Sequence, residues 1–205
     1  MSTLPSGTAQ STRLLLATRN QGKLVELRRM LSGFAVVGLA DVPDFPEAPE
    51  TGATFAENAL AKARDAASAT GLPSVADDSG LTVDALNGMP GVLSARWSGR
   101  HGADQANLEL VLAQTADVPD ERRGAAFVCA AALVVPDGPE TVVHGEWSGH
   151  LAHAPRGSNG FGYDPIFVPE GETRTSAELS PAEKDAVSHR ARALQALLPH
   201  LRALA

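Results

Sequence analysis

The chain has 205 residues, 43% of them hydrophobic, and a formal net charge of −7 at pH 7. That length and apolar content support one sizeable core. The acidic balance argues against a nucleic-acid coat or a binder of anionic membranes, both of which need a basic face, while leaving room for a local basic pocket.

Residues 1–12, "MSTLPSGTAQST", have neither a basic run nor a long apolar one, so a flexible tail is expected ahead of a single domain over 13–203. No stretch reaches the length of a membrane span, and a soluble cytoplasmic protein is expected. "RLLLAT" (13–18) reads as a buried strand, followed by a helix that Asn20 can cap and Gly33 can end, with Leu24, Leu27 and Leu31 at helical spacing. The Pro-rich, acidic "DVPDFPEAPETGAT" is a loop. Thr54 and Glu57 form a T-x-x-E capping box that opens a helix reaching Gly71.

"PSVA" is a strand leading to Asp77 and Asp78, which this reading places at a strand end, with "LTVDAL" a possible continuation. "NGMPGVLSARWSG" is a turn-rich loop. "DQANLELVLAQTA" is a helix with Leu108, Val111, Leu112 and Thr115 on one side. Two long strands joined at "PDGP" follow. Cys129, the only cysteine, lies in the first of them and reads as a buried, inert thiol. Ser180, Pro181 and Glu183 open a C-terminal helical region. This order predicts an α/β fold with a mixed twisted sheet flanked by helices.

Three segments can carry chemistry. In "TRNQGK" (18–23) a strand runs into a helix start, where backbone N–H groups at the positive end of the helix dipole bind phosphate. Thr18 and Asn20 add donors, and Lys23 in the first turn suggests an anion to meet. In "FGYD" (161–164) the glycines permit close approach, Phe161 and Tyr163 can stack on a base, and Asp164 is held extended by Pro165.

The third segment is "SPAEKDAVSHRARAL" (180–194), which gathers Lys184, His189 and Arg190. In one continuous helix Lys184 and His189 would point about 140° apart at 3.6 residues per turn. Ser188 can cap a second helix from His189. That predicts a break near 187–188 and a buried stripe of Leu194, Leu198 and Leu201. Of the 17 basic residues, 14 are arginine, and the three lysines, Lys23, Lys62 and Lys184, all fall in these segments or on the helix before the aspartates. A compact, mobile ammonium suits a polyphosphate.

Five ordered motifs, "ATRNQGKLVEL", "ETGATFAENALAKA", "ADDSGLTVDALNGMPGVLSARWSG", "GFGYDPIFVP" and "SAELSPAEKDAVSHRARAL", resemble the inosine/xanthosine triphosphate pyrophosphatases, from about Leu14 to Leu201. The resemblance implies a substrate cleft between two lobes. It also implies Mg²⁺-dependent hydrolysis of ITP, dITP or XTP to the monophosphate and pyrophosphate, in a homodimer. By position, Thr18, Arg19, Asn20, Gln21, Gly22 and Lys23 look like the phosphate-binding turn and Lys62 like a further phosphate contact. Asp78 looks like the catalytic acid residue and a metal ligand, with Glu50 (Glu47 is close by) completing the metal site and Ser79 touching substrate. Phe161, Gly162, Tyr163 and Asp164 look like part of the nucleoside pocket, and Lys184, His189 and Arg190 like further substrate contacts. Arg19 stands where the family often has glycine, and would be strained there if the turn needed positive φ.

A nucleotide-binding regulator without turnover is the rival reading. It needs the cradle and the stacking loop, but not paired acids beside the phosphates. On a regular strand Asp77 and Asp78 point to opposite faces. Asp78 is then expected at the metal, with Asp77 either bent towards the same metal or tying down the "SG" turn.

Overall fold

The computed structural model describes residues 13–46 and 49–204, so the expected tail and Glu47 lie outside the described residues. Six strands, β1 (Arg13–Leu16), β2 (Ala35–Gly38), β3 (Ser74–Val83), β4 (Gly124–Val134), β5 (Glu140–Leu151) and β6 (Phe167–Pro169), form one sheet in the order β2-β1-β3-β4-β5-β6. β1 is parallel to both β2 and β3, and the remaining pairs are antiparallel. The mixed sheet flanked by helices matches the expectation. β2 and β6 have four and three residues, too short to show a period, and sequence patterning misses them.

The helices are α1 (Gln21–Met30), α2 (Phe55–Thr70), α3 (Asp104–Gln114), α4 (Pro181–Val187) and α5 (His189–Arg202). Caps set their starts: Asn20 accepts from the Lys23 N–H, Thr54 from Glu57, and Ser180 and Glu183 close a full capping box. α1 stops at Met30 with Leu31 as its cap, two residues before the glycine expected to end it. Ser188 ends α4 and caps α5 through the Ala191 N–H, so the predicted break is present. The buried face of α5 carries Leu194, Leu197 and Leu201; Leu198 is only half-buried. A helix that starts at His189 turns Leu197 inward. No described helix is long and apolar enough to cross a membrane.

Apolar side chains cover both faces of the sheet. On one face Leu14, Leu16, Val75, Cys129, Ala131 and Leu133 pack with Leu27 of α1 and Leu194, Leu197 and Leu201 of α5. On the other, Leu15, Ala76, Ala130 and Ala132 meet the alanines of α2. Further along β3 and β4, Leu81, Val83 and Phe127 join Tyr163, Ile166, Phe167 and α3 in a separate cluster. α3 buries Leu108 and Val111, and its cap Thr115, as the spacing predicts, while Leu112 is only half-buried. α5 lies close on β5 because Gly145 has no side chain: a Cβ there would stand 2.1 Å from the His189 carbonyl oxygen and 2.5 Å from the Ala193 nitrogen. Cys129 is fully buried, and burial pushes its thiol up to about 12.

Candidate active site

β3 is one straight strand from Ser74 to Val83, so the aspartates lie in its middle and not at its end, and the "SG" step is not a turn. β1 pairs with β3 only as far as Val75. Between there and the isolated bridge of Thr82 with Pro90 no described strand pairs with that edge, and side chains from both faces reach Asp77 and Asp78. Asp77 and Asp78 sit opposite Ala131 and Ala130 of β4, small residues that leave room for them.

Asp77 faces α1 and α5. Its Oδ2 meets Lys23 Nζ at 3.1 Å, Arg190 Nη2 and Nε at 3.3 Å, and the Ser79 hydroxyl, which donates to it at 3.1 Å. Arg190 Nη2 also donates to Ser79 Oγ at 2.9 Å. The network continues through Glu26, which pairs with Arg190 Nη1 and lies 3.1 Å from Lys184 Nζ. Lys184 reaches Asp164 at 2.5 Å. Ser176 (2.7 Å) and the Phe161 N–H (2.9 Å) hold the Asp164 carboxylate as well. Burial opposes charge on Asp77, but Lys23 and Arg190 together outweigh it and hold the carboxyl well below its ordinary range. Lys23, whose place in the first turn suggested an anion to meet, keeps only 11% of its side-chain surface.

Asp78 faces α2. Asn58 Nδ2 donates to its Oδ2 at 3.0 Å and Lys62 Nζ lies 3.2 Å from its Oδ1. Lys62 also pairs with Glu50, so one ammonium bridges two carboxylates. Arg96 contacts Glu50 at 3.3 Å. Burial raises the Asp78 pKa, and Lys62 only partly offsets it because that ammonium is shared. At Lys62 burial also opposes charge, but Asp78 and Glu50 prevail and raise its pKa. For Glu50 burial is outweighed by Lys62, and its pKa falls.

Asn20, Lys23, Glu50, Asp78, Ser79, Phe161, Gly162, Tyr163, Asp164, Lys184, His189 and Arg190 all line one concavity. Lys62 stands behind it, on the acid pair. His189 stacks on Phe127, 4.8 Å between centroids and 14° between planes, and its buried Nδ1 has no partner among the described residues. Burial, with Arg190 and Lys184 adding repulsion, keeps this imidazole neutral. The Phe161 ring lies 5.2 Å from Lys184 Nζ and 5.8 Å from Arg190 Cζ.

Four residues of the predicted phosphate turn do not line the concavity. The Thr18 hydroxyl accepts from the Asn20 N–H at 3.2 Å. Gln21 is exposed. Arg19 lies on the surface 3.4 Å from Asp44, and its φ is not positive, so the feared strain is absent. Gly22 sits beneath Phe161, where a Cβ would meet ring atom Cδ1 at 2.6 Å.

Sequence reasoning missed Glu26, Asn58, Ser94 and Arg96. Glu26 had a signal: it is three residues after Lys23, on the same helical face and next to the core residue Leu27, where a carboxylate needs a partner. Asn58 is likewise one turn before Lys62 on α2.

A concave site with aromatic walls and several cations, beside two carboxylates that converge on one positive charge, suits an anionic ligand carrying a flat ring. The chain belongs to the Ham1 family, whose model matches residues 14–200. It is 68% identical over 198 residues to the dITP/XTP pyrophosphatase of Nocardia farcinica, covering 94% of this chain and 96% of the relative. It is also 68% identical over 199 residues to that of Mycobacterium tuberculosis, covering 95% and 97%. Among solved structures, the Mycobacterium abscessus dITP/XTP pyrophosphatase superposes with a TM-score of 0.76 at 66% identity, covering 92% of this chain and 100% of that one. The Staphylococcus aureus Ham1 protein gives 0.83 at 40% identity, covering 94% and 99%.

Proposed function

We propose that this protein is a nucleoside-triphosphate pyrophosphatase that hydrolyses non-standard purine nucleotides, dITP, XTP and ITP, to the monophosphate and pyrophosphate, and so removes them from the nucleotide pool. Its high identity to curated dITP/XTP pyrophosphatases supports the reading. The observation that carries it is the convergence of all three lysines of the chain on one site, each held by a carboxylate. A working assignment is a single nucleotide-binding domain over 13–203, acting in the cytoplasm as a homodimer.

Asp78 and Glu50 would hold Mg²⁺, which needs only one or two carboxylates beside substrate phosphates and water. The point where Lys62 bridges the two acids already holds a positive charge, so the donor set fits. Bound there, Mg²⁺ neutralises polyphosphate charge. Lys23, Lys62 and Lys184 supply cations from three further directions, and Asn20 and Lys23 bring the start of α1 to the phosphates. Asn58 fixes one oxygen of Asp78. Its other oxygen, which Lys62 meets, would orient and deprotonate the attacking water, a task that a raised pKa favours.

Phe161, Gly162 and Tyr163 wall the nucleoside pocket, and Asp164 holds Lys184. Hypoxanthine and xanthine carry a 6-oxo acceptor where adenine carries a 6-amino donor. A donor from His189, whose Nδ1 is unpartnered, would accept the first and oppose the second. Arg190 and Ser79 complete that wall, and Arg190 is already tied to Asp77 and Glu26.

The test incubates the protein with Mg²⁺ and a panel of nucleoside triphosphates and detects pyrophosphate. Release from dITP, XTP and ITP well above ATP is expected. Release of free phosphate would sink the reaction proposed. Nucleotide binding without any release would favour the regulator reading.

A further inference from the structure

Glu50 sits on an irregular segment, residues 49–54, that ends at the cap of α2. Neither strand nor helix fixes it, so its position depends on side-chain contacts. One is Lys62. The other is Arg96, the last residue of a 3-10 helix spanning Gly91–Arg96. Arg96 Nη1 donates to Glu50 Oε2 at 3.3 Å and Nη2 to the Glu50 carbonyl oxygen at 3.2 Å. A planar guanidinium gripping both a carboxylate and its own backbone fixes position and rotation together, which a point-charge ammonium cannot copy. Arg96 does not line the concavity, so it acts on the site only through Glu50.

The 3-10 helix is itself firmly tied. Ser94 Oγ accepts from the Leu81 N–H at 2.9 Å and donates to the Gly91 carbonyl at 2.6 Å. Gly80 makes this possible, since a Cβ there would stand 2.3 Å from Ser94 Oγ. The Ser94 carbonyl accepts from the Tyr163 hydroxyl at 2.8 Å. Burial raises the Tyr163 pKa, so the hydroxyl keeps the proton it donates. A continuous route therefore runs from the aromatic loop through Ser94 and Arg96 to Glu50.

We propose that Arg96 is a positioning residue that sets Glu50 opposite Asp78 and so controls divalent-cation affinity. The proposal rests on the reading of Asp78 and Glu50 as the metal pair. Arg96 touches neither the aromatic wall nor Lys23 and Lys184, so it governs metal binding more than polyphosphate binding.

Mn²⁺ binding to the full-length protein, followed by electron paramagnetic resonance with inorganic pyrophosphate present, tests this. Arg96→Ala is expected to weaken Mn²⁺ binding by about 10- to 100-fold, the usual effect of removing a group that orients a metal ligand. Pyrophosphate affinity at saturating Mn²⁺ stays unchanged. Arg96→Lys recovers part of the loss, and should Arg96→Ala not fold, Arg96→Lys carries the comparison. In a Glu50→Gln background, Arg96→Ala adds nothing, because its partner is already gone. Wild-type Mn²⁺ affinity in Arg96→Ala, or a loss that persists in the Glu50→Gln background, overturns the proposal. Wild-type affinity in Glu50→Gln alone removes the metal-pair reading and this proposal with it, a different pattern from failure at Arg96.

Discussion

Asp77 and Asp78 are adjacent and both buried, yet they lie on opposite faces of β3 in opposite electrostatic settings. On the α1 and α5 side, Asp77 meets two cations, Lys23 and an Arg190 that it shares with Glu26. On the α2 side, Asp78 has a neutral amide and half a share of Lys62. The first carboxyl is held ionised well below the usual range. The second has its pKa raised by burial. Burial alone therefore does not decide a carboxylate's role. The cations around it count as well, and on the function proposed one aspartate is a structural counter-ion while the other does the chemistry.

The sharpest way to break this comparison is to neutralise each acid in turn. Asp78→Asn is expected to lose about 10²- to 10⁴-fold in pyrophosphate release, the range for removing a general base, while the metal-free protein melts no lower than wild type. Asp77→Asn should instead cost about 3–5 kcal/mol in urea unfolding, because Arg190 and Lys23 lose a buried partner. Equal losses of stability in the two variants would dissolve the distinction.

Acid unfolding of the metal-free protein sharpens it by sign. Asp77 has a depressed folded pKa, so its stabilisation is present above the unfolded value of about 3.9 and is lost as pH falls below it. Asp78 has a raised folded pKa, so ionising it costs stability at neutral pH, and that cost fades as pH falls through the raised value. Any gain in melting temperature from Asp78→Asn should therefore shrink on acidification, and the Asp77→Asn loss should shrink only below the carboxylate range. The smallest effect is expected from Asn58→Ala. It removes a bond that favours ionised Asp78, shifts the acid limb of the rate profile upward, and costs about 0.5–1.5 kcal/mol. An unmoved acid limb would separate Asp78 from the base role.

Local rules made much of this legible in the sequence. Strand alternation placed the aspartates on opposite faces, and helical angles demanded the break that Ser188 provides. The motifs named most residues that line the concavity. The shortfall has a physical pattern. The pattern suggests a strand over "PSVA" that ends at the aspartates, because nothing local shows that two adjacent charges can sit in mid-strand. Asn58, which bonds Asp78, and Glu26 and Arg96, which hold Arg190 and Glu50, come from elements brought alongside only by tertiary packing, and Arg96 lies in a stretch that reads as loop but forms a 3-10 helix. Gly22, read as part of a phosphate cradle, lies instead under an aromatic ring.

That glycine has a consequence of its own. With no side chain at Gly22, the first turn of α1 and the Phe161 ring rest directly on each other, while Lys184 and Arg190 approach the same ring. The ring is held between the start of α1 and two of the cations that line the concavity. A single added methyl at Gly22 would stand 2.6 Å from it, so helix or ring would have to shift, and with it the wall of the concavity.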